Sequence, residues 1–337
     1  MATCLPPPLT ELLRQTSRSF YLTLRVLPRG VRPQIGLAYL LARTTDTIAD
    51  TEIIPLEDRL RALQDLRGRI LGTNGGSLDV GELARQQASP AERELLEKCE
   101  ASLTALRQLS SSDAQLVREV LDTITGGQEL DLQRFHGASV ENIIALRTDA
   151  ELDDYTYRVA GCVGEFWTKM CRAHLFPEAR LEEAQFMADA IRFGKGLQLV
   201  NVLRDLPTDL RKGRCYLPAE RLQAAGLTPT DLLRTASQEK FRGLYHAYLR
   251  LAEAHLAAGW AYTNVIPWKQ MRVRLACAWP TLIGLETIDR LRAENVLDPQ
   301  RRVKISRAEV RRLMLRSVLA YPWPSVWRGL VKAAKST

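Results

Sequence analysis

Cysteine pairing is absent from this 337-residue chain: Cys4, Cys99, Cys162, Cys171, Cys215 and Cys277 lie far apart, with no CxxC and no histidine at ligand spacing. That argues against a disulfide framework or a zinc site and reads as reduced thiols in a cytoplasmic protein. No stretch reaches the ~20 apolar residues that cross a bilayer, and the start, with Pro6, Pro7 and Pro8, has no basic-then-apolar signal pattern. A soluble protein, or one peripheral on the cytoplasmic membrane face, is expected. Sustained alternation of apolar and polar residues is missing, so no sheet is needed. Gly194-Lys195-Gly196 has neither the third glycine nor the preceding strand of a dinucleotide fingerprint and reads as a helix-packing site. His136, His174, His246 and His255 form no cluster, and no internal repeat interrupts the chain.

What is present is a helical pattern. From Leu9 onward apolar residues recur at steps of three and four. Breaks fall at the glycine-rich segment 72–90, near Gly126 and Gly127, at Pro177, from Gly213 to Pro218, at Pro229, and at Asp298-Pro299. Nearly half the residues are apolar and no linker divides them, so one all-α domain over 1–337 is expected, with a tail from about residue 318. The net charge of +8 suits an anionic partner: diphosphate, nucleic acid or an acidic membrane surface. Nucleic acid would call for a basic stripe with stacking aromatics, whereas the aromatics here occupy helical apolar positions. The tail mixes Tyr321, Trp323 and Trp327 with Arg328, Lys332 and Lys335, which suits a membrane interface or a segment packed on the domain; Pro322 and Pro324 break the helix that the first reading favours.

Two acid pairs carry the chemistry. Ile35, Tyr39, Ala42, Asp46 and Asp50 fall on one helical stripe, which predicts carboxylates facing inward among apolar groups. Like charges at i and i+4 repel and need a cation, and hard oxygens at this spacing suit magnesium sharing its coordination with substrate phosphate. A second stripe runs Met187, Ile191, Gly194, Gln198, Asn201 and Asp205, and Asp209 completes another DxxxD. Pro207 is expected to bend or end that helix, leaving the direction of Asp209 open. The turn Arg211-Lys212-Gly213-Arg214 follows, and arginine forks match phosphate oxygens. Cations and magnesium would stabilise charge on a departing pyrophosphate, in a pocket whose remainder must be dry.

These residues resemble the squalene and phytoene synthase family, in order from about Ser17 to Leu313. Ser17-Arg18-Ser19-Phe20 is similar to the family's early phosphate-contacting segment, Arg43 to its diphosphate-binding arginine, and DTIAD (46–50) to its first aspartate motif. Tyr155, Val159, Ala160, Gly161, Val163 and Gly164 match YxxxVAGxVG, while Gln198 to Asp209 and Gly213 to Pro218 resemble the second aspartate motif with its GRxYxP. Ala49 and Thr208 stand where relatives commonly carry glutamate, which puts extra metal ligation there in doubt.

The resemblance implies an isoprenoid-synthase-type helical bundle around a central cavity. It assigns magnesium to Asp46, Asp50, Asp205 and Asp209, and diphosphate to Ser17, Ser19, Arg43, Arg204 and Arg214. Gln198, Asn201 and Tyr216 complete the polar shell; Phe20, Val159 and Leu199 wall the prenyl chains; Tyr155 steers proton or cation. Arg302, Val303, Lys304, Ile305, Ser306 and Arg307 resemble a squalene-synthase segment whose cations Arg302, Lys304 and Arg307 would meet the phosphates of NADPH. The implied reaction is magnesium-dependent coupling of two farnesyl diphosphates to presqualene diphosphate, then reduction to squalene. Phytoene, dehydrosqualene or hydroxysqualene formation are the alternatives within the family. A class I cyclase would show an Asn/Ser/Glu metal motif that is not found, and a non-catalytic relative would be expected to lose acids that are intact here.

Overall fold

The computed structural model describes residues 5–17, 20–76, 79–298 and 303–334, without the side chains of Phe20 and residues 332–334. They form two compact units, Met1–His136 with Phe166–Glu178, and Gly137–Glu165 with Ala179–Thr337. Both are helical, as the spacing predicts.

The first unit carries α1 (Pro7–Thr16), α2 (Phe20–Val26), α3 (Arg32–Asp50), α4 (Leu56–Leu71), α5 (Gly81–Arg85), α6 (Pro90–Glu97), α7 (Cys99–Arg107) and α8 (Ser111–Arg134). Proline opens α1, α3 and α6, where the missing N–H has no intrahelical partner to lose. Leu37, Leu40, Leu41 and Ile48 of α3 are fully buried, and α3 packs on α4, α7 and α8. Each such side chain contributes about 1.5–3 kcal/mol on leaving water. The break expected at Gly126-Gly127 does not occur: α8 runs straight through it. Burial of Val117, Val120 and Leu121 outweighs the roughly 1 kcal/mol that each helical glycine costs.

In the second unit α9 (Asp149–Thr156) leads through a π-helical turn (Tyr157–Gly161) into α10 (Cys162–Leu175), of which residues to Glu165 belong here. Then come α11 (Glu183–Arg211), α12 (Ala219–Ala224), α13 (Gln238–Val265), α14 (Met271–Ala293), α15 (Arg307–Ala320) and α16 (Pro324–Ala334). One small departure from a sheet-free chain appears: β1 (Ile144–Ala145) pairs in parallel with β2 (Arg214–Cys215). Gly213, at φ 76°, makes that pairing possible, because a Cβ there would lie 2.3 Å from the amide nitrogen of Ser139. α11 packs along α13, which packs along α14, and α15 and α16 return onto α14.

The tail is folded rather than loose, and two of its rings are not available to an interface. Tyr321 and Trp327 are buried with Trp260, and the guanidinium of Arg274 lies 4.6 Å from the Trp268 ring centre and 5.4 Å from that of Trp327. Arg274 also donates to the carbonyls of Asn264 (3.0 Å) and Ile266 (2.6 Å). A cation so enclosed is held by π faces and carbonyl dipoles in place of water.

Candidate active site

The first acid pair sits at the C-terminal end of α3. Its stripe is buried at Ile35 and opens toward solvent along its length: 44% of the Asp46 side chain is accessible, and Asp50, the last helical residue, is exposed. The expectation that both carboxylates face inward is therefore corrected. Two like charges one turn apart are less costly near water than among apolar groups. Arg43, one turn before, donates from Nη1 to Asp46 and from Nη2 to Glu92 at 2.5 Å. Burial works against the Arg43 charge, yet Asp46 and Glu92 raise its pKa above the ordinary value. At Asp46, enclosure by protein pushes the pKa up to about 6, Asp50 adds in the same direction and Arg43 opposes. Water reaches 44% of this side chain, so the carboxyl can ionise and exchange partners.

Ser17 is buried at the end of α1, where its hydroxyl donates to the Leu13 carbonyl at 2.5 Å. That back-bond occupies the hydroxyl expected to meet phosphate. Ser19 and Arg302 lie outside the described residues, as does the side chain of Phe20.

In the second unit, Gln198, Asn201, Asp205 and Asp209 lie half-buried along α11. Asn201 Nδ2 reaches Gln198 Oε1 at 3.4 Å, and Gln198 Nε2 donates to the Tyr155 hydroxyl at 3.1 Å. The Tyr155 ring stacks on buried Tyr216 with centroids 4.4 Å apart, so the phenol is fixed from two directions. Arg204 grips Asp205 through Nε (3.0 Å) and Nη2 (2.5 Å), a two-pronged bond that raises the arginine's pKa.

Pro207 does not end the helix: α11 continues to Arg211, which keeps Asp209 one turn beyond Asp205. The carbonyl of Leu203 loses the donor that proline cannot supply, and the hydroxyl of buried Tyr245 replaces it at 3.1 Å. No sequence signal announced Tyr245, because its partner lies 42 residues away.

The segment after Tyr155 is the π-helical turn, a feature that periodicity does not reveal. It holds Val159, half-buried, and fits α11 closely: a Cβ at Gly194 would lie 2.0 Å from the Ala160 carbonyl oxygen, and one at Gly164 2.1 Å from that of Ala190. The helix-packing reading of Gly194-Lys195-Gly196 is thus correct. Leu199, expected with Val159 as a prenyl wall, lines a cavity of about 540 Å³ with Leu152, Leu244, Tyr248 and the pair Lys195–Asp153. None of the other expected site residues lines that cavity. Lys304 and Arg307 are exposed, and the start of α15 is closed by a capping box in which Ser306 and Glu309 exchange bonds. These two cations do not by themselves make a nucleotide-phosphate site.

Among the described residues no three His, Cys, Asp or Glu side chains gather where a metal ion could sit. Magnesium does not require that, since it binds through one or two carboxylates and completes its sphere with water and phosphate. Burial raises the pKa of Asp46 and Asp50 adds in the same direction, so a cation beside the pair would favour the ionised form, and the hard-oxygen donors fit that ion.

The family model for squalene/phytoene synthases matches residues 13–309. A presqualene diphosphate synthase of Rhodopseudomonas palustris is 29% identical over 86% of this chain and 89% of its own length. A squalene synthase of Schizosaccharomyces pombe is 25% identical over 91% of this chain and 64% of its own. Among solved structures, TcSQS in complex with the ligand E5700 matches 98% of each chain with a TM-score of 0.74 at 21% identity, a likeness of fold.

Proposed function

Since the chain belongs to the squalene/phytoene synthase family and is a prenyltransferase, we propose that it joins two farnesyl diphosphates head to head into presqualene diphosphate, with release of pyrophosphate. The observation that carries this reading occurs twice: each DxxxD has an arginine already bonded to its first aspartate, Arg43 to Asp46 and Arg204 to Asp205. Magnesium, when held by these acids, supplies Lewis-acid charge to the departing pyrophosphate. The arginines then have phosphate oxygens as alternative anionic partners, and Arg214 adds a third cation.

Departure of pyrophosphate leaves an allylic cation, which adds to the double bond of the second substrate; ring closure to the cyclopropane releases a proton. Tyr155, fixed by Gln198 and Tyr216, is the group we assign to guide that proton. Continuation to squalene needs a hydride from NADPH. It remains the second reading, favoured by the likeness to the yeast squalene synthase over 91% of the chain. The first reading stops at the cyclopropyl product on the likeness to the presqualene diphosphate synthase of Rhodopseudomonas palustris, which covers 86% of this chain and 89% of that one.

The test is purified protein with farnesyl diphosphate and magnesium, with and without NADPH, reading pyrophosphate and product mass. One pyrophosphate per presqualene diphosphate is expected in both arms; squalene only with NADPH establishes the second reading. A product formed from geranylgeranyl but not farnesyl diphosphate, or no pyrophosphate at all, overturns both.

A further inference from the structure

The last two helices expose an apolar surface that folding has not used. Leu315 and Leu319 are each 61% accessible, Trp323 60% and Val326 54%, although Ser317, Ala320 and Tyr321 between them and Trp327 just after them are buried. Arg311, Leu315 and Leu319 lie at steps of four on one stripe of α15, Arg312 and Arg316 run beside it, and the chain passes Pro322 to Trp323, Val326 and Arg328. No ion pair among the described residues involves these four arginines. From Arg307 to Thr337 the sequence holds seven lysines and arginines against one acid, most of the whole chain's net +8. That acid, Glu309, is committed to Ser306 and, at 2.5 Å, to Arg290.

We propose that this face, with Leu315, Leu319, Trp323 and Val326 among Arg311, Arg312, Arg316 and Arg328, docks the protein on an anionic lipid bilayer. Leucines and a tryptophan beside arginines suit the headgroup boundary, where apolar groups sink shallowly and cations meet lipid phosphates. The pattern differs from the ring set apparent in the tail's sequence: Tyr321 and Trp327 anchor α16 in the protein, and the turn at Pro322 presents Trp323 outward. No helix among the described residues is long and apolar enough to cross a membrane, so the contact is peripheral. A second copy is the poorer occupant, because a two-fold interface would set these arginines against themselves with no free acid on either helix. The use of such docking to an enzyme of prenyl substrates rests on the function proposed above; the docking itself does not.

Flotation of the full chain with vesicles tests it. Vesicles with about 30% phosphatidylglycerol should bind at least tenfold more tightly than pure phosphatidylcholine, and high salt should weaken the binding. Replacing Arg311, Arg312 and Arg316 by Gln should cost about a hundredfold, at roughly fivefold per cation. The triple variant Leu315→Ser, Leu319→Ser, Trp323→Ser should lose tenfold or more with its melting curve intact, since all three side chains are exposed. Acyl-chain-brominated lipid should quench part of the tryptophan emission, and Trp323→Phe should abolish that part. Equal binding to neutral and anionic vesicles, no binding, or unchanged binding by the variants overturns the proposal. So does a dimer in light scattering that the Ser variant dissolves, which would give the face to a second copy.

Discussion

The two DxxxD motifs have the same spacing and different supports. Asp50 ends α3 and is exposed, and Arg43 divides its guanidinium between Asp46 and Glu92. Asp205 lies inside the 29-residue α11, Arg204 commits two nitrogens to it, and Asp209 follows Pro207 in the same helix, where Tyr245 takes the place of the missing donor to Leu203. The first pair is tuned by charge, through neighbours that can exchange partners. The second is tuned by backbone, through a helix that continues across a proline. Identical motifs in sequence therefore predict different sensitivities.

The largest effect tests what they share. Asp46→Asn and Asp205→Asn should each lower turnover about a hundred- to a thousandfold, the scale of losing one group that stabilises transition-state charge. Retention of near-normal turnover by either variant would break the symmetry and remove that motif from the chemistry. Next, Tyr245→Phe leaves the Leu203 carbonyl buried without its donor, an expected loss of about 1–3 kcal/mol in denaturant unfolding. An unchanged midpoint would mean that α11 crosses Pro207 unaided. Smaller still, Glu92→Gln keeps the shape but withdraws a charge from Arg43. The Michaelis constant for prenyl diphosphate should change about tenfold, through the placement of a phosphate-binding fork. Glu92 is a positioning residue, so Glu92→Asp should restore part of the effect; a changed melting temperature with unchanged kinetics would make its role structural.

Helical class and the acid pairs were legible because both follow from spacing: period 3.6 and DxxxD are local. The failures were the features set by distant partners. Gly126-Gly127 looked like a stop, but the helix there is held by burial of Val117, Val120 and Leu121. Pro207 looked like a bend, and a hydroxyl from α13 repaired it. Trp323 and Trp327 are a helical turn apart in the same tail and have opposite fates, one exposed and one at 0% accessibility. Composition could not separate them, because the partners of Trp327 come from α13 and from the link before α14.

The finest distinction between the acid pairs concerns stability against pH. Burial, helped by Asp50 and opposed by Arg43, raises the Asp46 pKa from 3.8 to about 6. The folded carboxyl therefore holds a proton through a window in which the unfolded one has released it, so stability falls as pH rises from about 4 through about 6. Above that window ionised Asp46 is a standing cost of the folded state, and Asp46→Asn removes it. With metal chelated, the variant should melt about 1–3 °C above the wild type at neutral pH and level with it near pH 4, a modest gain because solvent reaches 44% of the side chain. Magnesium should then raise the melting temperature of the wild type more than that of the variant. A variant that melts lower than the wild type at neutral pH would show that the bond from Arg43 outweighs the cost of charge, and that the first pair is structural rather than poised for a cation.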